Sequence, residues 1–245
     1  MDFSSILKKI SLFAIIFVAS NSLADFIDDG IKALEARDYN NAFKFFKKAC
    51  DIRDGLGCNE IGYMYFKGKG VKRDSFKAVE FYKKACNLKN GRGCNNLGVM
   101  YELGKGVKKN PFKAAKFYHK ACNLKNGGGC YGLGRLYEIG RGVKRNPFKA
   151  VELFEKACKL WNGQGCSNLG VMYLDGKVVK KDPFKAVKLF QKACNLWNGE
   201  GCYNLALMYE FGIGVKKDIS KAIMYYGNAC DLKVEEGCEN YARLK

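Results

Sequence analysis

The sequence predicts an all-α fold, a superhelical α-α solenoid of short helical repeats stapled by disulfides. Two observations predict it. One text recurs at a period of 36 residues, starting at Gly55, Gly91, Gly127, Gly163 and Gly199; its fullest copy is GRGCNNLGVMYELGKGVKKNPFKAAKFYHKACNLKN at 91–126. A fixed period between 20 and 50 residues marks units that cannot bury their apolar faces alone and must stack. All twelve cysteines obey the same period, as the six Cys-x7-Cys pairs Cys50/Cys58, Cys86/Cys94, Cys122/Cys130, Cys158/Cys166, Cys194/Cys202 and Cys230/Cys238.

Residues 1–24 are a different text. Lys8 and Lys9 precede the apolar run 10–18, and Ser22-Leu23-Ala24 places small residues at a signal-peptidase site, so cleavage is expected after Ala24. The run is too short to span a bilayer as a mature helix, and no second candidate follows. A secreted chain is expected, periplasmic or extracellular, with no transmembrane segment. Asp25 stands where a lipoprotein would need a cysteine.

An opening helical pair is expected over 25–54, with helices at 26–36 and 39–50. Full repeats follow at 55–90, 91–126, 127–162, 163–198 and 199–234, and a half repeat closes the chain at 235–245. Within a repeat, Leu97, Met100 and Tyr101 have helical spacing and mark the first helix. Gly104 suits a left-handed C-cap, and Gly106 keeps the loop compact. Asn110-Pro111 is an N-cap followed by proline at the first helical position, repeated as Asn146-Pro147 and Asp182-Pro183; Asp74-Ser75 and Asp218-Ile219 keep the cap alone. The second helix carries Phe112, Ala114, Phe117, Tyr118 and Ala121, where alanines alternating with large aromatics predict a close-packed core. It ends near Cys122, and the Gly-rich Asn126 to Gly129 is read as the turn into the next repeat. Val178 stands where other repeats have Gly70, Gly106, Gly142 and Gly214. Either that loop differs or its backbone does not need positive φ there.

An even number of cysteines at constant spacing in an exported chain reads as disulfides. Zinc is disfavoured, because Cys-x7-Cys lacks zinc-site spacing and His119 is the single histidine. No metal and no cofactor are expected. A repeated unit must bridge in a repeated way, and the nearest partners are the two ends of each x7 segment.

The Leu-Gly-x-Met-Tyr of the first helix, the Gly-x-Gly-Val-x-x-Asp/Asn loop and the Lys-Ala-x-x-x-Tyr/Phe-x-Lys-Ala-Cys of the second resemble the SLR (Sel1-like) repeat, a relative of the tetratricopeptide repeat. With the cysteines and a leader, residues 25–245 resemble the secreted cysteine-rich proteins of Helicobacter. The resemblance implies a right-handed superhelix, disulfides within each Cys-x7-Cys, and penicillin binding with at most weak β-lactamase activity.

The residues themselves supply no lactamase constellation. A serine enzyme needs an activated serine, usually in Ser-x-x-Lys with Ser-Asp-Asn and Lys-Thr-Gly. The chain has no threonine, and its one Ser-x-x-Lys, Ser5 to Lys8, lies in the leader. Beyond the leader stand Ser75, Ser167 and Ser220, each with an ordinary structural role; the catalytic residues are therefore unassigned. His119 aligns with Lys83, Glu155, Gln191 and Gly227 and belongs to a solvated face.

Binding is read from variation between repeats. Core positions hardly change, whereas two rows on the first helix do: Asn59, Asn95, Tyr131, Ser167 and Tyr203, then Tyr63, Val99, Arg135, Val171 and Leu207. By analogy with tetratricopeptide packing these rows line a concave face, with Asn95, Tyr131, Arg135, Ser167 and Tyr203 as the candidate ligand contacts. Relaxed constraint on an exposed face would give the same pattern. Such a surface suits an extended peptide or protein ligand ending in a carboxylate, for which Arg135 is the candidate partner. β-Lactams mimic a peptide terminus and could use the same contacts.

The net charge is +19, or +18 once the leader's two lysines and one aspartate are removed. The surplus recurs between helices, as in Lys67, Lys69, Lys72 and Arg73, then Lys105, Lys108 and Lys109, which predicts a basic edge able to attract anionic surfaces. Nucleic acid is an unsuitable partner for an exported chain. Trp161 and Trp197 replace Lys89 and Lys125, either packing over a neighbouring bridge or forming an exposed apolar patch. A monomer is expected.

Overall fold

The computed structural model describes residues 26–245; the leader read at 1–24 lies outside them. Among the described residues every regular element is an α-helix. A first helix, α1, covers 26–35. It is followed by α2 (Tyr39–Asp51), α3 (Gly55–Lys67), α4 (Ser75–Asn87), α5 (Gly91–Leu103), α6 (Pro111–Asn123), α7 (Gly127–Ile139) and α8 (Pro147–Lys159). The chain continues as α9 (Gly163–Asp175), α10 (Pro183–Asn195), α11 (Gly199–Phe211), α12 (Ile219–Asp231) and α13 (Glu235–Leu244). These form two compact units, one ending at Lys109 and one running from Asn110 to Lys245.

Each unit is built by one rule. A first helix packs on its own second helix, as α3 on α4 or α7 on α8, and that second helix packs on the next first helix, as α4 on α5 or α8 on α9. In the first unit the core gathers Ala42, Phe46, Ile61 and Met64; in the second it repeats as Ala150, Phe154, Leu169 and Met172, then Ala186, Phe190, Leu205 and Met208. The expected solenoid with a disulfide in every repeat is the observed architecture. The bridges are Cys50–Cys58, Cys86–Cys94, Cys122–Cys130, Cys158–Cys166, Cys194–Cys202 and Cys230–Cys238, each joining the two ends of one Cys-x7-Cys segment. No free cysteine remains among the described residues.

The caps follow the sequence. Asn110, Asn146 and Asp182 accept from the backbone N–H three residues on, each with proline at the helix start, and Asp74 and Asp218 do so without proline. Gly104 is left-handed at φ 72°.

Two local readings need correction. The Gly-rich stretch after each second helix is not a turn: Asn126 is an N-cap accepting from the Gly129 N–H, and Gly127 to Gly129 form the first turn of α7. The chain reverses one residue earlier, at Lys125, whose φ is 57°. The same left-handed residue is Arg53, Lys89, Trp161, Trp197 and Lys233 in the other copies, none of them glycine. The second cysteine of each bridge therefore does not follow a turn but stands inside a helix. Cys58, Cys94, Cys130, Cys166, Cys202 and Cys238 each come three residues after the start of α3, α5, α7, α9, α11 and α13. One helical turn carries the sulfur back over the end of the preceding second helix. Cys58, Cys94 and Cys166 are buried there, whereas Cys238, on α13, is half-buried.

Phe112 is not in the core. It is 72% exposed, and Phe76, Phe148 and Phe184 behave alike. Phe112 precedes Ala114 by two residues, which at 100° per residue puts it on the opposite side of α6 from the buried Ala114, Tyr118 and Ala121.

The loop containing Val178 does differ. Gly70, Gly106, Gly142 and Gly214 have φ between 67° and 73°, and a Cβ on any of them would fall within 2.6 Å of a carbonyl oxygen in the first turn of the preceding second helix. Val178 is absent from the positive-φ residues, so its loop cannot seat on α8 in that manner.

Candidate binding face

In the second unit α7, α9 and α11 lie side by side, each touching the next. Their cysteines, Cys130, Cys166 and Cys202, are buried, and the two variable rows follow at one and five residues beyond each cysteine. The first row turns inward. Tyr131 is half-buried with its ring 5.9 Å from Phe154, and it packs against both the Ala150 cluster and the Cys122–Cys130 bridge. Tyr203 lies 5.7 Å from Tyr226. Ser167 is only 4% exposed. Being adjacent to a buried cysteine puts this row on the flank of the apolar face, so a large ring there fills the seam between helices. Ser167 is therefore an interior position, not an open ligand contact.

The second row is more accessible. Arg135 is half-buried, with its guanidinium 6.0 Å from the Tyr131 ring centroid. Val171 is 46% exposed, and Leu207 is half-buried. Stacking on an aromatic face restrains a planar guanidinium. This row thus places one guanidinium beside two aliphatic side chains on successive first helices.

In the first unit, α3 and α5 pair similarly. Asn59 is buried, accepting from Asn96 Nδ2 at 3.0 Å and donating to Glu60 Oε1 at 2.9 Å. Asn95, Tyr63 and Val99 are half-buried. The sequence reading missed Asn96 and Glu60. The signal available was a polar residue recurring between the buried cysteine and the core leucine or isoleucine, at Glu60, Asn96, Asn168 and Asn204.

The loop edges carry the lysines expected there, and a further set is anchored on aromatic rings. Lys77, Lys149, Lys185 and Lys221, each early in a second helix, lie 5.3, 4.8, 4.1 and 5.1 Å from the ring centroids of Tyr65, Tyr137, Tyr173 and Tyr209. Lys185 also donates to the Tyr173 hydroxyl at 2.6 Å, and that hydrogen bond raises its pKa. Ser75 opens α4 and Ser220 is exposed in the first turn of α12, while His119 is exposed on α6.

With the repeat geometry and its buried cysteine pairs described, kinship can be judged. A Sel1 repeat model matches residues 18–53, 55–90, 91–126, 128–160, 163–196 and 199–234. The chain belongs to the Sel1 repeat family. A Sel1 repeat protein from Oxalobacter formigenes is 30% identical, with a TM-score of 0.77 over 84% of each chain. The SLR protein c5321, a protective antigen of uropathogenic Escherichia coli, is 26% identical with a TM-score of 0.75, covering 95% of this chain and 51% of its own. Beta-lactamase HcpA of Helicobacter pylori is 38% identical over 57 residues, which is 23% of either protein. HcpC of the same species is 40% identical over 44 residues, 18% of this chain and 15% of HcpC. The chain thus matches less than a quarter of the length of these curated relatives. The six cysteine pairs and this kinship make it a cysteine-rich Sel1 repeat protein related to the Hcp group. Among the described residues, no helix is long and apolar enough to cross a membrane.

Proposed function

We propose that this protein is an exported scaffold that binds an extended peptide or protein segment across α7, α9 and α11, with Arg135 receiving a carboxylate. The observation that carries the reading is the contrast between a core that repeats and a second row that changes from Tyr63 and Val99 to Arg135, Val171 and Leu207 on the same backbone. Export is supported by the leader-like residues 1–24 and by six disulfides, which persist in oxidising compartments. Repeat stacks present extended surfaces of this kind to other chains.

A second reading, β-lactam binding with at most weak hydrolysis, is favoured by the kinship with HcpA, named a beta-lactamase. A β-lactam carries the carboxylate that Arg135 would receive. None of Ser75, Ser167 and Ser220 begins a Ser-x-x-Lys, so the reading is one of capture more than turnover.

The test is calorimetric titration of the oxidised protein with a panel of peptides bearing free or amidated C-termini, beside an Arg135→Ala copy. Binding that needs both the free carboxylate and Arg135 supports the reading. Equal binding of both peptide forms by both proteins would remove Arg135 from it. Benzylpenicillin hydrolysis above buffer that drops in Arg135→Ala would instead favour the second reading.

A further inference from the structure

At the far end of the second unit, between the ends of α10 and α12 and Cys202 at the start of α11, lies a cleft of about 440 Å³. Trp197 and Tyr225 supply its aromatic walls, the Cys194–Cys202 bridge lies among its lining, and Gln191, Asn228 and Asp231 supply its polar groups. No lysine or arginine lines it, in a chain of net charge +19.

The preceding repeat shows what fills the equivalent place there. There Lys192, on α10, holds its ammonium 5.3 Å from the ring centroid of Trp161, at the end of α8. One period later Trp197 follows the C-cap of α10, but the lysine position on α12 is Asn228. The repeat text has lysine at this position in five copies, Lys48, Lys84, Lys120, Lys156 and Lys192, and each lies in the last turn of its helix. The last turn of α12 has no basic residue at all.

Three attractions for a cation therefore converge without a resident cation. The first is the face of Trp197, 82% exposed and held at φ 58°. The second is Asp231, where the preceding repeat has Asn195. The third is the carbonyl end of α12, whose dipole favours positive charge and is neutralised by lysine in the other second helices.

We infer that this cleft binds an alkylammonium group supplied from outside the chain, stacked on Trp197 and paired with Asp231 in the position that Lys192 takes on Trp161. Two sources share that chemistry, a lysine side chain of a peptide and a free quaternary amine.

The test uses the full oxidised protein carrying Trp161→Phe, so that the Trp197 fluorescence and indole N–H resonance report alone. The probes are Nα-acetyl-lysine methylamide, choline, and Nα-acetyl-norleucine methylamide as the uncharged match. Saturable shifts with either cation and at least about fivefold weaker response to norleucine are expected. A preference for lysine would point to peptides, and one for choline to quaternary amines. Trp197→Ala and Asp231→Asn should each weaken the cation by about three- to tenfold, the former read by probe line-broadening. Asn228→Lys should abolish binding by installing the resident ammonium, with the melting temperature unchanged or slightly raised. Norleucine binding as well as lysine, or an Asn228→Lys copy that binds as before, would overturn the inference.

Discussion

Replacing Gly129 by alanine sets two effects of known sign against each other. Gly129 is in the first turn of α7, so alanine there gains up to about 1 kcal/mol of helix propensity. Its new Cβ, however, would stand 2.4 Å from the Ala121 Cβ and 3.0 Å from the Cys122 backbone nitrogen. Carbon atoms pack at about 3.5–4.0 Å, so the contact is more than an ångström too short. Neither neighbour is a flexible tip, and the Cys122–Cys130 bridge ties the two helix ends together. Overpacking costs about 1–3 kcal/mol, and an overlap this deep against short, tethered neighbours takes the upper part of that range, about 2–3 kcal/mol. The clash wins, and Gly129→Ala should destabilise by about 1–2 kcal/mol, or about 2–8 °C in melting temperature for a chain of this size. Thermal melts followed by helical circular dichroism, with disulfides intact, measure it. The companion Ala121→Gly/Gly129→Ala removes one carbon of the clashing pair and should recover more than the single effects predict, a coupling of about 1 kcal/mol. A stabilised Gly129→Ala, or additive single mutants, would refute the close-approach argument.

Other outcomes follow from the same structure. Lys125→Gly should stabilise by about 0.5–1 kcal/mol in urea titrations, because a lysine at φ 57° gives up left-handed strain. Reduction of all six bridges should lower the melting temperature steeply, each short closed loop contributing about 2–3 kcal/mol; reduced and oxidised melts that coincide would contradict it. Burial pushes the Glu210 carboxyl up, but hydrogen bonds from the Tyr226 hydroxyl at 2.6 Å and the Arg243 guanidinium at 2.7 Å outweigh it and hold its pKa below the ordinary value. A depressed carboxyl contributes stability above its unfolded pKa of about 4.3 and loses it as pH falls through the folded value. Glu210→Gln should therefore flatten the acid side of the stability profile below about pH 5. Val178→Gly should raise hydrogen-exchange protection at Lys177 and Val178, since it restores the glycine that other loops seat on the preceding helix.

The sequence alone determined the architecture. A period shared by cysteines, caps and core residues leaves little choice but stacked helix pairs, because the same apolar face must find the same partner each time. Caps at Asn110 and Gly104 and the bridges were legible because their chemistry is local. What only the tertiary structure decided is where side chains point once helices meet. Gly129 reads as a turn former, yet it lies in the first turn of α7 and is glycine because Ala121 leaves no room for a Cβ, while the reversal falls on Lys125, a residue with no turn signature. Phe112 reads as core and lies in solvent, because a two-residue offset on a helix is nearly half a revolution. Tyr131 and Ser167 vary like surface residues and yet pack inward, since a seam between helices tolerates a ring in one repeat and a hydroxyl in the next. Likewise the cleft at Trp197 exists because α10 and α12 end together, and its missing lysine gains meaning only when Lys192 is seen over Trp161. Periodicity fixes which residues are equivalent; packing fixes what each equivalent position faces.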